Sequence, residues 1–165
     1  MNIIFLDVDG VLNSIEYLTE KHNELKRTLK QEEMLDTVCI KNLKQIVDKT
    51  NARIVITSSW KICDLDILIK VFSKYNLQVY DATINYGDKR GKEIREWLDN
   101  NKDVNNYIII DDDFFKDYVG LEDKIIQTSM YKGRGLNITH VKEAIEKLKG
   151  YKIVSFVFII HIKLT

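Results

Sequence analysis

The sequence predicts an α/β domain of three layers, helices on both faces of a central, mostly parallel sheet. Short runs rich in Ile and Val alternate with longer segments of helical period, as strands joined by helical crossovers do. The runs carry little polar alternation, the mark of strands buried on both faces. Polar clusters stand at the carboxyl ends of several runs, where open parallel sheets place their ligands.

The elements follow in order. Strands are expected at Ile3–Leu6, Arg53–Ile56, Leu77–Tyr80, Tyr107–Ile110 and Lys124–Gln127. The first helix of the core has the stripe Ile40, Leu43, Ile46, Val47, with Asp36 or Thr37 as its cap. A second carries Leu65, Leu68, Ile69 and Phe72 behind Asp64. A third begins near Gly91 and carries Ile94, Trp97 and Leu98. The fourth carries Val141, Ala144, Ile145 and Leu148, with Thr139 as cap and Gly150 as stop. Residues 1–150 are read as one domain. Residues 14–35 form a polar, charge-rich insert, either a solvated helix-loop or a flap that acts as a small cap. Residues 151–165 form an apolar tail too short to span a bilayer.

Composition narrows the function classes. The 165 residues are 45 % apolar, enough for a full core and too many for disorder. Lys plus Arg and Asp plus Glu number 25 each, so no net charge draws the chain to nucleic acid. Cys39 and Cys63 form no CxxC; they are expected as reduced core or near-core thiols of a cytoplasmic protein, without a disulfide partner. The N-terminus lacks a signal-peptide pattern, because Asp7 and Asp9 interrupt its apolar run. No membrane partner is expected, and the oligomeric state stays open.

Four polar clusters can carry chemistry. Asp7 and Asp9 leave the first strand two residues apart, so on a continuing strand both side chains point one way. Gly10 then permits a sharp turn. Thr57-Ser58-Ser59-Trp60 follows the second strand, Lys89-Arg90-Gly91-Lys92 opens the third helix, and Asp111-Asp112-Asp113 follows the fourth strand. Together they suggest phosphoryl transfer. Asp7 would be the nucleophile and Asp9 the acid and base. Thr57 or Ser58 would donate to a phosphoryl oxygen, and Arg90 or Lys92 would offset its charge. Asp7, Asp9, Asp111 and Asp112 would be oxygen ligands for Mg²⁺, because clustered carboxylates repel without a cation. Trp60 and Trp97 are expected as packing residues, and His22, His140 and His161 lack metal-ligand spacing.

The run Phe5-Leu6-Asp7-Val8-Asp9-Gly10-Val11-Leu12 resembles the first motif of the haloacid dehalogenase-like (HAD) phosphohydrolases. Ile54-Val55-Ile56-Thr57 resembles their second motif, Arg90 or Lys92 the basic third, and Ile108-Ile109-Ile110-Asp111-Asp112 the acidic fourth. A finer resemblance is to the small HAD domains of Swiss Army Knife RNA-repair proteins. It rests on Leu6–Asn13, Thr57-Ser58-Ser59-Trp60-Lys61, Arg90–Leu98, Ile110–Asp113, and Gln127-Thr128 followed by Gly135-Leu136. That pattern has Arg where this chain has Lys61, which keeps the charge but lacks the planar fork.

The resemblance implies a Rossmann-like, HAD-like fold with a minimal cap, and strand one placed between strands two and four. It implies an Mg²⁺-dependent phosphatase working through an aspartyl-phosphate, with Gly10 and Lys61 near the substrate. The implied partner is a phosphorylated small molecule or nucleic-acid end. Two other classes compete: a HAD-like binding protein without catalysis, and a receiver-like phospho-acceptor module. A receiver carries its acidic pair after the first strand and its phospho-acceptor after the third, an order this chain does not follow.

Overall fold

A computed structural model describes residues 1–150, and the tail expectation lies outside the described residues. Five strands, β1 (Asn2–Leu6), β2 (Arg53–Ile56), β3 (Val79–Ala82), β4 (Asn106–Asp111) and β5 (Ile125–Gln127), form one sheet in the order β3-β2-β1-β4-β5. Every pairing is parallel. The expected position of β1 between β2 and β4 is observed, and the fold is the three-layer, HAD-like α/β/α type.

The sheet is apolar on both sides because successive side chains alternate faces. Ile4, Leu6, Ile54, Ile56, Ile108, Ile110 and Ile126 pack on one face against helices α2 (Thr37–Thr50), α4 (Leu65–Ser73) and α6 (Ile138–Lys149). Those helices contribute Ile40, Leu43, Ile46, Leu68, Phe72, Val141, Ala144 and Leu148. The other face presents Ile3, Phe5, Val55, Ile109 and Ile125 to Ile94 and Trp97 of α5 (Arg90–Asn100) and to Tyr118. Phe5 and Trp97 meet edge to face at 5.4 Å. Both tryptophans are buried, as expected.

Local signals placed most boundaries. Asp36 caps α2 through the Val38 N–H at 2.8 Å. The α6 cap is Asn137, whose side chain accepts from the N–H groups of Thr139 and His140, so Thr139 lies inside the helix. Gly150 ends α6 in the left-handed region at φ 70°. Asp64 precedes α4 without capping it through its side chain. β3 starts two residues later than expected, because Leu77 is drawn into the end of α4. Its N–H donates to the Phe72 carbonyl at 3.1 Å across a turn with Asn76 at φ 54°.

The 14–35 insert folds as α1 (Ile15–Leu25), which buries none of its residues, and a 3-10 turn at Gln31–Met34. Arg134 ties it to the body, pairing with Glu20 at 3.2 Å and with Asp36 at 2.9 Å. Gln31 donates to Asp64, and Lys70 pairs with Glu32. Among the described residues no hydrogen bond or ion pair joins the insert to Asp7, Asp9, Arg90, Asp111 or Asp112. A short helix, α3 (Trp60–Cys63), leads out of the turn after β2.

Both cysteines are free, but their settings differ. Cys39 is buried and donates to the Arg134 carbonyl at 3.0 Å. Burial pushes its thiol up to about 12. Cys63 is exposed, not near-core as expected, because it ends α3 at the surface.

Candidate active site

The strand register builds the site. Leu6 pairs with Ile56 on one side and Ile110 on the other. One step further, the Thr57 N–H donates to the Leu6 carbonyl at 2.9 Å and the Asp7 N–H to the Ile110 carbonyl at 3.0 Å. Asp7 therefore emerges between Thr57 and Asp111, at the strand where the connections reverse direction and parallel sheets leave a crevice.

Asp7 is 7 % exposed and accepts from Arg90 Nη1 at 3.0 Å. The same Nη1 lies 3.8 Å from Asp111 Oδ2. Arg90 is the first residue of α5, and its guanidinium rests 5.1 Å from the centre of the Phe115 ring. Tyr118, wholly buried, donates to Asp111 Oδ2 at 2.8 Å. Asp7, Asp111 and Asp112 each offer a carboxylate oxygen, all within 4.8 Å of one another.

Their electrostatics match this crowding. Burial raises Asp7 above the ordinary carboxylate range, with Arg90 opposing and Asp9 adding to the rise. Burial, then the charge of Asp7, lifts Asp111 to about 7 against the pull of Arg90. Burial and the charges of Asp7 and Asp113 lift Asp112 to about 6. Arg90 can offset only one charge in this set. A hard, oxygen-only donor cluster with excess negative charge fits a small divalent cation.

Asp9 is directed elsewhere. Its carboxylate accepts from Asn13 Nδ2 at 2.9 Å and from the Trp60 indole N–H at 3.0 Å. Each Asp9 oxygen thus accepts one hydrogen bond, and the clustered carboxylates are those of Asp7, Asp111 and Asp112. Asn13 also takes the Gly10 N–H at 2.9 Å. That bond closes the turn at Gly10. Gly10 stands at φ 70°, and a Cβ there would overlap the Asp112 carboxyl group.

The remaining expected residues separate clearly. Thr57 and Ser58 are both 1 % exposed. Thr57 Oγ1 is buried without a partner among the described residues, while Ser58 Oγ accepts the Trp60 N–H at 3.4 Å and its hydroxyl opposes the rise of Asp7. Of the two candidate cations, Arg90 reaches Asp7. Lys92 is exposed, its ammonium 3.9 Å from the Tyr86 ring centre. Lys61 is bonded within the protein. Its side chain is 5 % exposed, and its ammonium bonds Glu93 at 2.6 Å, Thr83 at 2.9 Å and the Thr57 carbonyl at 3.1 Å.

Asn13, Trp60, Thr83, Glu93 and Tyr118 join the site without having been foreseen. Glu93 was legible, because it lies three residues after Arg90 on one helix and so shares its face. Tyr118 carried no signal, as the segment after the Asp run has no periodicity.

The parallel sheet, the Asp pair leaving its central strand and the acidic set across the crevice define a HAD-type domain. A family model described as the HAD domain in Swiss Army Knife RNA repair proteins matches residues 3–141. The chain belongs to that family. At the superfamily level these are phosphatase-type hydrolases acting on phosphorylated substrates, and they generally use Mg²⁺. Comparison with curated proteins found no match, and comparison with solved structures found none.

Proposed function

We propose that the protein is an Mg²⁺-dependent phosphomonoesterase working through an aspartyl-phosphate on Asp7. The observation that carries this reading is the setting of Asp7, with Arg90 at 3.0 Å on one side and the Asp111 and Asp112 carboxylates on the other.

In the first half-reaction an Asp7 oxygen bonds to phosphorus while the bond to the leaving oxygen breaks. Asp9 gives that oxygen a proton. In the second, Asp9 takes a proton from water, the water oxygen bonds to phosphorus, and the Asp7–phosphorus linkage breaks to release inorganic phosphate. Thr57 supplies a hydroxyl that has no other partner. Arg90 offsets charge growing on the phosphoryl oxygens. Asp7, Asp111 and Asp112 would hold Mg²⁺, which when bound supplies further positive charge to those oxygens.

A minimal cap, as the family resemblance implies, leaves room for substrates larger than a metabolite. Nucleotides and nucleic-acid ends are therefore the first substrates to screen, in keeping with the family's setting. The test is hydrolysis of an aryl phosphate by the wild type and Asp7→Asn, with and without Mg²⁺. Turnover should require both the metal and Asp7. A variant that keeps most of its turnover would remove the nucleophile assignment.

A further inference from the structure

We infer that Glu93, acting with Lys61, is a positioning residue of this site. It fixes the Thr57 backbone and the Arg90 guanidinium where they meet a phosphoryl group, an inference that rests on the function proposed above.

Glu93 is 1 % exposed and fully engaged. Its Oε1 accepts the Tyr86 N–H at 2.8 Å, and its Oε2 accepts from Lys61 at 2.6 Å and from the Thr83 hydroxyl at 2.9 Å. Lys61 is equally committed, since its ammonium also reaches Thr83 and the Thr57 carbonyl. Thr57 is thus held at both ends of its backbone, by Leu6 through its N–H and by Lys61 through its carbonyl, while its hydroxyl stays unpartnered. One helical turn before Glu93, Arg90 carries its own buried, partnerless Nε, 4.0 Å from Glu93 Oε2. The guanidinium is therefore flanked by Glu93 at Nε and by Asp7 at Nη1.

A buried ion pair is a poor device for stability alone, because apolar residues of similar volume often do as well. What this pair supplies is fixed geometry for two groups that meet the phosphoryl oxygens. Small displacements of such groups cost rate.

The test compares the full-length wild type, Asp7→Asn and Glu93→Gln for aryl-phosphate turnover with Mg²⁺. Calorimetry with Mg²⁺ and beryllium fluoride, a stand-in for a phosphoryl group on a carboxylate, adds a readout independent of turnover. Folded Glu93→Gln should lose about tenfold or more in kcat, with KM within about threefold, and bind beryllium fluoride about tenfold more weakly. A folded variant with lower melting temperature but wild-type kcat and analogue affinity would make the pair a structural strut and overturn the inference. Should Glu93→Gln not fold, Thr83→Val decides the matter. It removes one hydroxyl from the same carboxylate without changing charge, and a loss of about threefold or more in kcat and analogue affinity is expected; wild-type values overturn the inference. Loss in Asp7→Asn tests the phosphatase reading separately. A wild type that neither turns over nor binds the analogue overturns both.

Discussion

Asp9 is held by two donors from different parts of the chain, Asn13 in its own turn and Trp60 after β2. Orientation of an acid and base is worth as much as its presence, because proton transfer needs hydrogen-bond reach. Trp60→Phe keeps most of the buried ring and removes the N–H. Its kcat should fall about tenfold, and the lost hydrogen bond to a charged group, worth ~1.5–3 kcal/mol, should lower the melting temperature by about several degrees. Unchanged kcat would reduce Trp60 to packing. At this scale the sequence was legible where chemistry and position coincide: Asp7, Asp111, Asp112 and Thr57 all lie at strand ends. It did not record the internal bonds of Lys61 and Gly10, because motif position says nothing about where a flexible ammonium or a backbone N–H is already bonded. Trp60 was likewise expected as packing, for a buried indole does not announce the partner of its N–H.

Helix ends decide how the elements meet the site. Asn137 caps α6 directly after the loop that holds Arg134 and Gly135, and Gly135 approaches the Val11 carbonyl too closely for any side chain. Asn137→Ala should lower stability by about 1 kcal/mol, the usual loss for such a cap. Denaturant titration would check it, and an unchanged midpoint would make the cap redundant. β1, β2 and β4 were readable because each is an apolar run with polar turn residues behind it. β3 slipped by two residues because Leu77 satisfies the same apolar pattern as a helix stop. The insert was undecided between flap and solvated helix. Its charge pattern does not record that Arg134, far along the chain, joins its Glu20 to Asp36.

For the whole molecule, the fold stands in tension with its own site. Asp111 is held at about 7 and Asp112 at about 6, mainly by burial. Between about pH 4 and pH 7 the folded chain keeps protons that the unfolded chain has lost. Without metal, stability from these groups therefore falls as pH rises through that window. A cation that replaces those protons reverses the loss. Mg²⁺ should raise the melting temperature more near pH 8 than near pH 5.5, by about several degrees if saturating. Equal shifts at both pH values would argue against Asp111 and Asp112 as ligands. Among the described residues no helix is long and apolar enough to cross a membrane.

The sheet order also sets a sequence of events in time. β1 pairs with β4 across most of the chain, while β2 and β3 follow β1 in sequence and lie beside it in turn. Asp7 and Asp111 have no local precursor and meet only once β4 has docked against β1. Loop-closure entropy makes such distant parallel pairings slow. The half-domain of β1, β2 and β3 can thus collect its apolar partners early, but it has no acidic cluster, no arginine clamp and no chemistry. The complete site therefore depends on the pairing of β1 with β4.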